Sequence, residues 1–251
     1  MIAIETKNLT KIYRKSHLGK MSLTTGIKDL SISINKGEIF GLLGLNGSGK
    51  TTTIKLLLGL LTPTSGESFI LGEKIPSTKV LRKIGFMPEV PYFYRYLTAS
   101  EILRFYGEMS EIKNTKKKVD ELLNLVGLTE RKDKKLSEYS KGMLQRIAIA
   151  QSLLHDPDIL IYDEPVSGLD PLAITEMRNL LLKLKSEGKT IFLSSHLISE
   201  VEKVSDRVAI LAQGSLVRII EQNKLVSKEG ELEKIFISDV SGTSELGRIK
   251  I

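Results

Sequence analysis

Apolar residues recur along this chain in two rhythms. Short strand-like runs fall at residues 2–10, 30–35, 38–44, 68–72, 83–89, 159–165, 190–195 and 207–214. The first two alternate apolar and polar positions, as antiparallel strands with one open face do. Residues 40–43, 159–162 and 191–193 are unbroken apolar runs, which suits central strands covered on both faces. Helix signals lie between them. Residues 51–61 read as one helix. Residues 119–126 place Val119, Leu122, Leu123 and Val126 at helical spacing ahead of Gly127. Residues 171–184 open on Pro171 and are followed by Gly188. Strands alternating with helices predict an α/β core whose sheet is largely parallel, with crossover helices. From about 91 to 157 strand signals vanish, so a helical subdomain is expected there, inserted into a core formed by 1–90 and 158–215 that includes a small antiparallel β part. Residues 216–240 are expected as a C-terminal extension and 241–251, too polar to pack, as a flexible tail.

Composition narrows the classes. With 251 residues, 41% of them hydrophobic, the chain is long enough to bury one large core. No run approaches the ~18 to 20 apolar residues of a membrane span, and the opening residues lack a secretory apolar region, so a cytoplasmic location is expected. The absence of cysteine excludes disulfides, thiolate zinc sites and thiol catalysis. A net charge of +7 invites a nucleic-acid reading. The basic runs at 112–118 and 131–135, however, come with only 6% aromatics and no nucleic-acid motif. They read as solvated helix faces, some of them near an anionic membrane surface, with nucleic acid as the alternative.

Candidate chemistry concentrates in a few short stretches. Gly44, Leu45, Asn46, Gly47, Ser48, Gly49, Lys50 and Thr51 spell G-x-x-x-x-G-K-[ST] between a predicted strand and a predicted helix. Glycines let successive N–H groups point at phosphate oxygens, and the helix start adds its own N–H groups and dipole. Lys50 reaches the β- and γ-phosphates, and the Thr51 hydroxyl is a hard oxygen suited to Mg²⁺. The 159–162 strand delivers Asp163 and Glu164 at its carboxyl end, where α/β sheets bind ligands. Asp163 is expected on Mg²⁺, and Glu164 as the base that polarises a water for attack on the γ-phosphate. A second polar turn, Ser140-Lys141-Gly142, opens another helix. Taken alone it is an ordinary serine cap over an apolar face (Ile147, Ile149, Ala150, Leu153).

Taken in order, these stretches resemble the nucleotide-binding subunit of an ATP-binding-cassette (ABC) transporter over roughly residues 3–240. The order runs from Tyr13 through the phosphate loop, Glu89, "YSKGMLQR" (139–146), "ILIYDEP" (159–165) and "SGLDP" (167–171) to "LSSH" (193–196). The resemblance implies the P-loop NTPase fold of that family: a mixed sheet, a small antiparallel β subdomain and the helical insert. It implies that Tyr13 stacks on adenine and that Thr52 joins the phosphate loop in holding ATP. It assigns Ser140, Lys141 and Gly142 to ATP held by a second cassette, and Asp170 to the dimer interface. His196 is implied to contact the γ-phosphate and hold the attacking water; Asp170 also suits the N-cap of the helix beginning at Pro171.

Two departures from the family pattern stand out. Lys141 replaces a glycine and adds charge beside the incoming phosphate. Glu89 replaces a glutamine as a further oxygen ligand for Mg²⁺, a feature similar to exporter-like members. The resemblance implies ATP hydrolysis in a homo- or heterodimer, driving a separate membrane permease from the cytoplasmic face, with export as the direction and no direct nucleic-acid contact. Tyr92, Phe93, Tyr94 and Tyr96 are expected either to receive a coupling helix of that permease or to form an ordinary core patch. The alternative is a soluble cassette ATPase acting on nucleic acid or the ribosome. A GTPase is disfavoured because no N-K-x-D motif occurs. The insert after Tyr13, residues 14–29, matches no motif and reads as an extended loop.

Overall fold

The computed structural model describes residues 1–17, 20–221 and 230–241. Among them, eleven strands join into one mixed sheet: β1 (Ile2–His17), β2 (Lys20–Leu30), β3 (Ser33–Asn35), β4 (Ile39–Leu43), β5 (Ser65–Ile70), β6 (Glu73–Lys74), β7 (Ile84–Met87), β8 (Ile159–Asp163), β9 (Thr190–Ser195), β10 (Arg207–Ala212) and β11 (Ser215–Glu221). The order is β6-β5-β1-β2-β11-β10-β4-β9-β8-β7, with β3 paired to β1. From β10 to β7 every pairing is parallel, while β1, β2, β3, β5 and β6 pair antiparallel among themselves, and β11 pairs antiparallel with β10 and parallel with β2. The antiparallel part is therefore fused to the parallel part through β11, not separated from it.

Period-two alternation explains how the central strands are covered. Ile39 and Leu43 of β4, Leu160 and Tyr162 of β8, and Ile191 and Leu193 of β9 face one buried cluster. Phe40, Leu42, Ile159, Ile161 and Phe192 face another. The second cluster is completed by α1 (Lys50–Leu57) and the antiparallel strands. The first is completed by α3 (Ala99–Met109), α4 (Thr115–Leu125), α5 (Lys141–Ser152), α6 (Pro171–Ser186), α7 (Ile198–Val204) and α8 (Glu231–Ser241); the remaining helix, α2 (Thr78–Leu81), is a single turn. Tyr162 is fully buried and lies 3.0 Å from the Ser152 hydroxyl, tying α5 to β8. Burial lifts its pKa well above that of a free phenol. Phe192 is fully buried and stacks on Phe40 at 6.1 Å. Phe192→Ala is expected to cost about 3–5 kcal/mol, read as a lower urea midpoint at unchanged slope.

Between 91 and 157 the described elements are α3, α4, α5 and two 3₁₀ turns, without a named strand. α3 begins with a reciprocal capping box between Thr98 and Glu101. Several expectations need correction. Residues 14–29 are not an extended loop: 11–17 and 20–27 pair as a two-stranded ribbon continuing β1 and β2. The helix expected over 51–61 starts at Lys50 and ends at Leu57, and that over 119–126 starts at Thr115. β11 carries the sheet across position 215 to Glu221, and α8 docks through Leu232, Phe236 and Val240. Of the expected tail, 241–251, Ser241 ends α8 and 242–251 lie outside the described residues.

Candidate functional site

The phosphate loop leaves β4 and enters α1, so its backbone is fixed at both ends. Gly49 has φ of 111°, a conformation rarely open to residues with a side chain, and a Cβ there would stand 2.4 Å from the Gly26 carbonyl oxygen. The Ser48 hydroxyl is buried without a hydrogen-bond partner. Lys50 folds back under the loop, its Nζ donating to the carbonyls of Gly44 at 2.7 Å and Leu45 at 3.3 Å. The same ammonium lies 3.2 Å from Glu164 Oε1, with both side chains buried.

Glu164 directly follows β8 and adopts φ of +51°, the left-handed region where non-glycine residues are uncommon. Its backbone N–H is satisfied by Ser194 of β9, through the hydroxyl at 3.0 Å and the carbonyl at 3.2 Å. Its Oε2 lies 2.8 Å from His196 Nδ1 and accepts from the His196 N–H at 3.3 Å. The carboxylate is thus held between the Lys50 ammonium and the His196 ring and backbone N–H. Asp163 is buried beside it and accepts from the Ser194 hydroxyl at 2.6 Å. One serine therefore orients both acids of the strand end.

Tyr13, Asn46, Gly47, Gly49, Lys50, Thr51, Thr52, Glu89 and Glu164 line a single cleft of about 460 Å³, a size that suits a small ligand. Gly44, Leu45 and Ser48 belong to the same loop without lining that cleft. Asp163 sits behind its wall, and His196 reaches it through Glu164. Sequence reasoning missed Thr24, Thr25 and Gly26, which form the opposite wall, and Ser194, whose only signal was two serines ending an apolar strand. Among the described residues no group of three or more His, Asp or Glu side chains is placed to hold a metal by itself. Thr51 and Glu89 nonetheless offer hard oxygens to the cleft.

The second polar turn is not brought into this cleft. Ser140 caps α5, accepting from the Met143 N–H at 3.3 Å, and remains exposed. Gly142 packs against the SGLDP loop: a Cβ there would be 3.3 Å from Leu169 and 3.6 Å from Ala173. The Lys141 ammonium lies across Gly168. Asp170 is exposed and caps α6, accepting from the Ala173 N–H at 2.9 Å. A second exposed feature follows Glu89. Tyr92 is 89% exposed, and Tyr94 and Tyr96 are also open, 5.9 Å apart, with Phe105 edge-on to Tyr94 at 6.3 Å. Of this group, Phe93 packs on the core, so the three tyrosines are not a core patch.

Comparison with known proteins gives concordant results. The profile of the family described as "ABC transporter" matches residues 27–167. An uncharacterized ABC transporter ATP-binding protein of Nostoc sp. is 44% identical over 218 residues, 85% of this chain and 65% of that protein. The chain thus spans somewhat less than two thirds of that relative. The bacitracin transport ATP-binding protein BcrA of Bacillus licheniformis is 42% identical over 239 residues, 94% of this chain and 75% of that protein. Among solved structures, the dimeric ATP-binding cassette MJ0796 in a post-hydrolysis state bound to ADP and Pi aligns with a TM-score of 0.76 at 28% identity, covering 87% of this chain and 98% of that one. Its fold is the mixed sheet and helices described above. The matched stretch holds the phosphate loop, the serine-capped turn and the acidic strand end in a single block, and on that ground the chain belongs to the ABC transporter family.

Proposed function

We propose that the chain is the ATP-binding and ATP-hydrolysing subunit of an ABC transporter that works from the cytoplasmic face of a membrane. One observation carries this reading: a single cleft gathers most of the phosphate loop with Tyr13, Glu89 and Glu164, while Ser140, Lys141 and Asp170 stand exposed, and Gly142 half-buried, outside it. A site with its phosphate-facing turn on the outer surface is half a site. A second cassette, identical or homologous, supplies the other half, and ATP is held between Lys50 of one subunit and Ser140 of the other. The dimeric state of MJ0796 supports that arrangement.

In this reading the triphosphate takes the loop N–H groups and Lys50, drawing the ammonium from Glu164. The freed carboxylate accepts a proton from the attacking water as the water oxygen bonds to the γ-phosphorus and the bond to the leaving ADP oxygen breaks. His196, hydrogen-bonded to Glu164, keeps that water in line. Thr51 and Glu89 in the cleft and Asp163 beside it would hold a Mg²⁺ ion that enters with the nucleotide, and that ion would supply charge neutralisation at the phosphate oxygens; this oxygen set fits a metal that comes with ATP better than a resident one. The segments 1–90 and 158–221 act as the catalytic core, 91–157 as a helical arm and α8 as a C-terminal brace.

Among the described residues no helix is long and apolar enough to cross a membrane, and the exposed tyrosines are the feature best suited to meet a separate permease. Export is the direction in this reading, and BcrA, named for bacitracin transport, supports a transport role. The test is co-purification from detergent-solubilised membranes. The expected result is a membrane partner retained by the wild type and lost, with nucleotide binding intact, in a Tyr92→Ser, Tyr94→Ser, Tyr96→Ser variant. Association abolished by nuclease and insensitive to these changes would instead support a nucleic-acid role.

A further inference from the structure

The ribbon that follows Tyr13 has no role in the account so far, and its inner end forms a wall of the cleft. Thr24 is the register partner of Tyr13, and Gly26, two residues on, is the unpaired residue at the register shift between Lys11 and Ile12, set against the tyrosine ring. The tyrosine ring lies down on that glycine. A Cβ at position 26 would stand 2.7 Å from Tyr13 Cε2 and 3.0 Å from Thr52 Cγ2. The phenol oxygen lies 3.1 Å from Thr52 Oγ1 on the first turn of α1. From a third direction Lys11 sets its ammonium 5.7 Å from the ring centroid, within cation–π range, and anchors it by donating to the Thr62 carbonyl at 2.6 Å.

The geometry points to Gly26, Thr52 and Lys11 as positioning residues that set the Tyr13 ring as a platform for the purine base before nucleotide arrives. This inference rests on the reading of Tyr13 as the base platform. A ring already fixed in its stacking orientation loses little rotamer freedom on binding, so the affinity contributed by the base is retained. Gly26 decides the matter sterically, because any larger residue lifts the ring from the ribbon. Thr52 and Lys11 fix its tilt. The ribbon accordingly makes the base half of the site, as the phosphate loop makes the triphosphate half.

The test is calorimetric titration with Mg-ATP and with inorganic tripolyphosphate, which lacks the base. Tyr13→Ala and Gly26→Val are each expected to weaken ATP binding roughly tenfold, the scale of one lost base–aromatic stack, while tripolyphosphate binding stays unchanged. The double variant is expected to bind ATP no more weakly than Tyr13→Ala alone, because both changes remove the same contact. Thr52→Val, which deletes a hydroxyl without added bulk, is expected to weaken ATP by a larger factor than tripolyphosphate, the difference reading the loss of its hold on the Tyr13 phenol. Unchanged ATP affinity in Tyr13→Ala overturns the platform reading itself. Weakening in Tyr13→Ala, with Gly26→Val and Thr52→Val at wild-type affinity, overturns only the positioning inference. Additive losses in the double variant, or a parallel loss of tripolyphosphate binding in Gly26→Val, also overturn it, since the Gly26 carbonyl adjoins Gly49 and the damage then lies in the phosphate loop.

Discussion

Glu164→Gln is expected to bind Mg-ATP at least as tightly as the wild type and to lose about 10²- to 10⁴-fold in turnover. The reasons are separate. Gln keeps the volume and most hydrogen-bonding reach of the side chain, so its contact with the His196 N–H survives. It loses the negative charge that holds Lys50 at 3.2 Å, so the ammonium is released to phosphate at no ion-pair cost, and repulsion of the triphosphate falls. What disappears is the acceptor for the water's proton. Single-turnover measurement of phosphate release, beside equilibrium ATP binding, reads the two effects independently. Normal turnover in this variant removes Glu164 from the role of base.

Lys50→Ala has the opposite signature. Removing the ammonium deletes charge-assisted hydrogen bonds to phosphate, each worth about 1.5–3 kcal/mol, so ATP affinity is expected to fall by roughly 10- to 100-fold. The substitution also strips Glu164 of its ammonium partner while its carboxylate stays buried, with side-chain exposure of 6%. Breaking such a pair from one side costs about 3–5 kcal/mol of folding stability; the neighbouring His196 places this case at the lower end. Denaturant titration and ATP calorimetry on the same preparation check both expectations. The double variant Lys50→Ala, Glu164→Gln is expected to recover most of the stability and none of the affinity, because it removes the stranded charge without restoring the phosphate ligand. Unchanged affinity in Lys50→Ala contradicts the assignment of the loop.

The features legible in the sequence are those set by short contiguous patterns. The phosphate loop was readable because eight adjacent residues dictate a strand exit, a glycine-permitted turn and a helix entry. Asp163 and Glu164 were readable because four apolar residues commit 159–162 to a central strand, fixing which residues emerge at its carboxyl end. Other features depend on partners distant in the chain. The ribbon arm 20–27 has little alternation and carries Thr24-Thr25-Gly26 ahead of Ile27; it is a strand because Tyr13 and its neighbours pair with it, a tertiary effect that local propensity does not carry. α7 spans seven residues and gave too little periodicity to register. Ser194 had no signal for its joint hold on Asp163 and the Glu164 N–H, since that contact exists only once β8 and β9 lie side by side. The tyrosines after Glu89 gave the same pattern whether buried or exposed, and only packing separated Phe93 from its neighbours.

Lys141 gains a concrete setting from the same packing. It departs from the glycine expected of the family, and its ammonium lies across Gly168 in the SGLDP loop. The serine-capped turn and the SGLDP loop are therefore packed against each other, through Lys141 on Gly168 and Gly142 beside Leu169.

The central claim is that one subunit carries half of each catalytic pocket and that nucleotide joins two halves. Light-scattering mass of Glu164→Gln with saturating Mg-ATP, alone or with an equimolar cognate cassette, tests it most directly. The predicted result is a dimer containing two ATP, lost on adding Ser140→Arg while each monomer still binds nucleotide. A strictly monomeric protein under those conditions, or a dimer indifferent to Ser140→Arg, contradicts the claim.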